Sequence, residues 1–154
     1  MSTSRQVAAL PVRRAADGRC EVMLITSRET RRWVIPKGWP WVGQSDARTA
    51  SGEAWEEAGI EGVIQTESVG SFTYQKRKRL RSVEVSVDVF LLEVTREADD
   101  WPEREERQRV WFSPEQAAAI VDEPELGALI LRLARAARSS SRRVQPLAQS
   151  TRAR

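Results

Sequence analysis

Histidine is absent from all 154 residues. That removes the imidazole base, the imidazole metal ligand and every nucleophile–histidine arrangement from the chemistry open to this chain. Cysteine occurs once, at Cys20, where DGRCEVMLI reads as a strand entrance. A lone thiol forms no internal disulfide, and without a second metal-binding partner it reads as an ordinary packed side chain. No apolar run approaches the roughly 20 residues of a membrane span. The opening MSTSRQVAALPVRR has too short an apolar stretch for a secretory signal. The cytoplasm is therefore the expected compartment, with no membrane partner. No internal repeat is visible. What remains for catalysis is carboxylates, lysines, hydroxyls, or a metal held through oxygen.

The charge that is present is unevenly placed. Net charge is only +3, from 25 Lys and Arg against 22 Asp and Glu. Yet YQKRKRLR (74–81) is densely basic, RETRR (28–32) is a smaller basic run, and acids gather at 53–61 and 99–106. Such a pattern suits a polyanion held beside a metal. With 40% hydrophobic and 31% charged residues the balance is globular. Residues 1–138 are expected to form one domain. Residues 139–154, rich in Ser and Arg without periodicity, are expected to be a disordered basic tail.

The order of elements follows from periodicity and punctuation. RQVAALPVRR and CEVMLITSR read as strands joined by the turn AADG. Trp33 to Ile35 form a short strand before a loop forced by Pro36, Gly38, Pro40 and Gly43. Residues 46–58 read as a helix capped by Ser45 or Asp46 and stopped at Gly59, with Ala47, Ala50, Ala54 and Ala58 on one stripe. Val63–Val69 and Ser71–Tyr74 read as strand, the basic run as a loop or hairpin tip, and SVEVSVDVFLLEV as a long strand. After the loop READDWPERE come a strand at RQRVWF, a helix opening on Ser113 and Pro114, and an amphipathic helix burying Leu126, Leu129, Ile130 and Leu133. Irregular alternation of this kind predicts an α/β sandwich with a mixed sheet.

Glu53, Glu56 and Glu57 stand at i, i+3 and i+4, on one helix face bordering the alanine stripe. Three like charges together are destabilising unless neutralised. A hard divalent cation with oxygen ligands would neutralise them, and so would plain solvation of an acidic surface face. The wider context favours the cation. From Gly38 to Ile60 the chain resembles the 23-residue Nudix box, G-x5-E-x7-R-E-U-x-E-E-x-G-U, where U is a bulky aliphatic residue. Gly38, Glu53, Glu56, Glu57, Gly59 and Ile60 take box positions, and Ala54 stands where a bulky aliphatic is usual.

The resemblance implies an α/β/α sandwich with a mixed central β-sheet and a hydrolase cleaving a diphosphate bond with Mg²⁺ or Mn²⁺. It implies Glu56 and Glu57 as the main metal ligands and Glu53 as a ligand or general base. The carbonyl at Lys37 or Gly38 would complete the sphere, with a further carboxylate among Glu103, Glu105 and Glu106, where Glu106 is favoured. Two positions depart from the box: its first glutamate is Gln44 and its arginine is Gly52. In the family that arginine orients the carboxylates, often paired with the first glutamate. The loss leaves two readings, a working enzyme with weaker positioning or a decayed phosphate- or RNA-binding module. Under the first, Gly52→Arg is expected to raise activity.

Outside the box, RWVIPKGWP, the basic hairpin and WPEREERQRVWFSPEQA look like the diphosphoinositol polyphosphate phosphohydrolase branch, which also cleaves diadenosine polyphosphates. Arg28, Arg32, Lys37, Lys76, Arg77 and Lys78 are the expected phosphate-gripping residues. The alternative is a nucleotide-specific Nudix pyrophosphatase, for which Trp39 and Trp41 would stack a base. These two tryptophans could equally pack as a lid over the helix. A small-molecule substrate is expected rather than nucleic acid, with the chain a monomer or homodimer.

Overall fold

In chain order the elements are β1 (Ser4–Arg14), β2 (Cys20–Thr26), β3 (Trp33–Val34), β4 (Lys37–Gly38), α1 (Asp46–Ala58), β5 (Ile60–Ile64), β6 (Gly70–Lys78), β7 (Arg81–Glu97), β8 (Arg109–Phe112), α2 (Pro114–Ile120) and α3 (124–136). The structure is a computed structural model and describes residues 4–136. The expectation of a disordered tail lies outside the described residues.

β1 and β7 form the spine of the sheet. They pair in parallel from Ser4 opposite Val85 to Val12 opposite Glu93. Each is long enough to take two partners along its other edge. β1 pairs antiparallel with β4 (Val7 opposite Gly38) and then with β2 (Val12 opposite Val22). β7 pairs antiparallel with β6 and then with β5. β2 adds β3 and β8. The sheet is therefore mixed, as expected.

Alternation along the strands feeds two cores. Val7, Ala9, Phe90 and Leu92 face α1, where they meet Ala47, Ala50, Ala54 and Ala58. Ala8, Leu10, Val85, Val87 and Val89 face α2 and α3, against Ala117, Leu126, Leu129 and Ile130. A period of two on a strand places successive residues on opposite faces, so one apolar run fills both layers. The small alanine stripe lets α1 lie close on the sheet. The result is the α/β/α sandwich.

Three boundaries differ from the sequence expectation. The strand expected at 63–69 begins earlier, at Ile60, directly after the helix stop, and ends at Ile64. Lys37 and Gly38 form β4 rather than loop, because β1 offers an open edge there. The basic run is mostly strand rather than loop or hairpin tip: β6 continues through Lys76, Arg77 and Lys78, paired with Val83, Ser82 and Arg81. Only Arg79 and Leu80 make the turn, Arg79 at φ 37°. Charge does not oppose strand pairing here, since Arg77 and Lys78 are exposed and Lys76 is only half-buried.

Candidate active site

The site is built on α1, and both ends of that helix are fixed. Ser45 caps the start by accepting a hydrogen bond from the Arg48 N–H. Gly59 ends it in the left-handed region at φ 66°. The last carbonyls are held by residues from far along the chain. Arg109 donates to the carbonyls of Ala58 at 2.8 Å, Gly59 at 3.3 Å and Ala98 at 2.7 Å. The Trp101 indole donates to the Glu57 carbonyl at 3.2 Å and stacks on the Arg109 guanidinium at 4.0 Å. The Glu103 N–H reaches the Glu56 carbonyl at 3.1 Å. A cation and two N–H donors therefore sit where the helix dipole is negative.

Within this frame Glu53 and Glu57 turn toward β4. Glu57 is only 8% exposed. One of its carboxylate oxygens accepts from the Lys37 backbone N–H at 3.3 Å, and the other lies 3.7 Å from the Arg107 guanidinium. Burial pushes the Glu57 carboxyl up to about 8; Arg107 opposes the rise and the neighbouring Glu53 carboxylate adds to it. Glu53 lies against Gly38 so closely that a Cβ there would sit 2.2 Å from Oε2. The same oxygen accepts from the Trp41 indole N–H at 3.0 Å. Glu56 is half-buried, and its side chain has no hydrogen bond or ion pair among the described residues.

These features bear on a divalent cation. The donors are hard carboxylate oxygens, two of them crowded together with one desolvated, and β4 presents a bare glycine to them. A desolvated carboxylate crowded by a second, beside a glycine that presents no side chain, suits a hard cation. Among the described residues no three acidic side chains form a closed cage. Glu53 and Glu57 are instead held by Trp41, Lys37 and Arg107.

The remaining expected residues fall into separate groups. Glu106 lies on a 3-10 turn (Arg104–Glu106) with its carboxylate 3.4 Å from Arg28. Glu103, closer in, pairs with Arg107 at 2.7 Å. Arg32 is committed to Asp122 at 3.2 Å and to the buried Glu123 at 3.0 Å. The Lys37 ammonium sits 4.8 Å over the Tyr74 ring. Burial pulls it down to about 8; Glu57 opposes the shift, while Arg32 and Lys76 add to it. Lys78 comes within 5.8 Å of the Trp39 ring, which joins the basic hairpin to the box loop. Arg77 is exposed on β6, paired in register with Ser82.

Sequence spacing missed Arg107, Arg109, Trp101 and the placement of Trp41. Three of these come from residues 101–109, whose only signal was a charged loop before a strand. At Gly52 a Cβ would lie 2.2 Å from Cη2 of Trp41, whose ring covers the glycine.

Comparison with known proteins fits this architecture. The solved structure of a C. elegans Ap4A hydrolase binary complex superposes with a TM-score of 0.63 at 23% identity, covering 85% of this chain and 95% of that one. Among curated proteins, Arabidopsis thaliana "Nudix hydrolase 12, mitochondrial" is 31% identical over 104 residues, 65% of this chain and 51% of its own. Rattus norvegicus diphosphoinositol polyphosphate phosphohydrolase 2 is 31% identical over 104 residues, 66% of this chain and 54% of its own. The chain thus spans about half the length of the curated relatives it matches. No helix among the described residues is long and apolar enough to cross a membrane. The family profile described as NUDIX domain matches residues 4–133, from the start of β1 into α3, and the chain belongs to that family.

Proposed function

We propose that this protein is a divalent-metal-dependent hydrolase that cleaves a diphosphate bond in a phosphate-rich small molecule, such as a diphosphoinositol polyphosphate or a diadenosine polyphosphate. The observation that carries the proposal is the desolvated Glu57 carboxylate, packed beside Glu53 and bonded to the backbone of a strand that ends in a bare glycine. Glu53, Glu56 and Glu57 would hold Mg²⁺ or Mn²⁺, with the Gly38 carbonyl at hand and Glu106 as an outer carboxylate. A bound cation would neutralise charge on the diphosphate and polarise the phosphoryl group under attack. Glu53, the most accessible of the crowded pair, is suited to accept a proton from attacking water if it does not bind the cation. Arg107 holds Glu57 in place. Lys37, Lys76, Arg77 and Lys78 supply positive charge along one edge, and Arg28 supplies it beside Glu106. Support for the substrate class comes from this basic edge and from the names of two relatives, the rat phosphohydrolase and the nematode Ap4A hydrolase. The working unit is proposed to be the domain at 1–138, as a monomer or homodimer in the cytoplasm.

A nucleotide-specific pyrophosphatase is the second reading, favoured by Trp39. The residue is 42% exposed and its ring lies beside Lys78, a surface on which a base could stack. One experiment tests both. Product release is measured with Mg²⁺ or Mn²⁺ from a diphosphoinositol phosphate, a diadenosine polyphosphate and a nucleoside triphosphate, with Glu57→Gln in parallel. Preference for either of the first two supports the main reading, and preference for the triphosphate supports the second. Unchanged turnover in Glu57→Gln would remove the metal-site assignment. Binding without turnover would favour an impaired module.

A further inference from the structure

Trp41 stands in the loop before α1, and three contacts hold it to that helix. Its backbone N–H donates to Oγ1 of the fully buried Thr49 at 3.1 Å. Its ring lies over Gly52, with Cη2, Cζ3 and Cζ2 all within 3.0 Å of where a Cβ would be. Its indole N–H donates to Oε2 of Glu53 at 3.0 Å. Positions 49, 52 and 53 share one helix face, so the indole is seated flat along that face. Only a residue without a side chain at 52 admits it.

We infer that Trp41 is the positioning residue for Glu53, and that Gly52 is required because any side chain there evicts the ring. This inference rests on the reading of Glu53 as part of a hydrolytic site. It gives the departure from the box a local cause: the loop supplies, from above, the orienting donor that the box draws from its arginine. The substitution is not neutral in charge. An indole N–H fixes one oxygen of Glu53 without neutralising it, which leaves the other oxygen and the whole negative charge for a cation. A guanidinium would orient the carboxylate and compete with that cation at once.

The test uses the full chain and two variants. Trp41→Phe keeps a ring over Gly52 and removes the donor. Gly52→Ala keeps the donor and displaces the ring. In ¹⁵N-labelled protein the six tryptophans give indole cross-peaks, and Trp41→Phe identifies its own by loss. That peak is expected to shift on Glu53→Gln and on Gly52→Ala. With a substrate that the wild type cleaves, both variants are expected to lose about ten- to a hundredfold in kcat, the worth of one donor to a charged group. KM is expected to stay within about threefold. A Trp41 cross-peak indifferent to Glu53→Gln, or wild-type kcat in Trp41→Phe, would overturn the inference. Wild-type protein inert toward every phosphate substrate would instead sink the hydrolase reading, and the cross-peak would then decide the Trp41–Glu53 contact alone.

Discussion

Replacing Gly38 by alanine adds one methyl group at the point where β4 meets the carboxylates. That carbon would lie 2.2 Å from Oε2 and 2.4 Å from Cδ of Glu53, where ordinary contact begins at 3.4 Å. The carboxylate must therefore retreat by roughly 1 Å or more, a displacement that can cost a reaction about 10²-fold. The fold has little reason to suffer. Gly38 is not among the glycines with positive φ, so alanine fits its backbone. The obstructing group is the end of a flexible side chain rather than main chain. Stiffening the unfolded chain contributes about 0.4–1 kcal/mol of stability. Straining the Trp41–Glu53 hydrogen bond costs part of the about 1.5–3 kcal/mol that a bond to a charged group is worth. The two partly cancel, so Tm is expected to move by no more than about 4 °C. Steady-state kinetics with Mn²⁺ and a thermal melt on the same preparation read both quantities. Glu53→Asp in the Gly38→Ala background, shorter by one methylene, is expected to restore part of the lost kcat. Wild-type kcat in Gly38→Ala would refute the reasoning, as would an activity loss that tracks a large fall in Tm.

Glu57→Gln is expected to reduce kcat by at least about 10²-fold without lowering Tm, because it replaces a carboxyl whose charged form burial already disfavours, while Arg107 keeps Glu103. Saturating Mn²⁺ is expected to stabilise the wild type by about 2.7 kcal/mol at a hundred times its Kd, and to stabilise Glu57→Gln far less, in melts with and without chelator. Arg109→Ala exposes three carbonyls that its guanidinium now satisfies. It is expected to cost about 2–4 kcal/mol in urea unfolding. Arg32→Ala is expected to cost about 1–3 kcal/mol by leaving the buried Glu123 without its partner. If KM rises severalfold with stability unchanged, Arg32 grips substrate instead.

Helix α1 was legible because every local signal agreed: Ser45 as cap, the alanine stripe, Gly59 as stop. The two-sided burial of β7 was legible because Val83 to Leu92 change from alternating to wholly apolar. The box spacing located the carboxylates. Spacing could not say what fills the hole at a glycine, since that depends on which loop side chain folds back, and Trp41 does so from eleven positions upstream. Gly52→Arg, expected from sequence to raise activity if the missing arginine limited it, is now expected to lower activity, because the side chain would displace Trp41. Nor could spacing find Arg107 and Arg109, which reach α1 across some fifty positions through the pairing of β8 with β2. Charged residues in a loop look alike in sequence, and only tertiary contact separates a helix clamp from a solvated side chain. The strand portion of the basic run was missed because charge density hid its alternation; the turn itself falls within the run, at Arg79 and Leu80.

The parallel pairing of β1 with β7 sets the order in which this protein can assemble. Ser4 meets Val85, so the whole stretch from Gly38 to Ile60 lies inside the loop that this pairing closes. Closing so long a loop is slow, because its entropy is lost before any contact compensates. Until it closes, α1 is a 13-residue helix with a glycine in its interior, marginal in water on its own. A nascent chain released no further than residue 80 would carry every carboxylate of the box but lack β7, half of the spine against which α1 packs. The layer that seats the carboxylate helix is complete only once the strand that follows it in sequence lies beside the first.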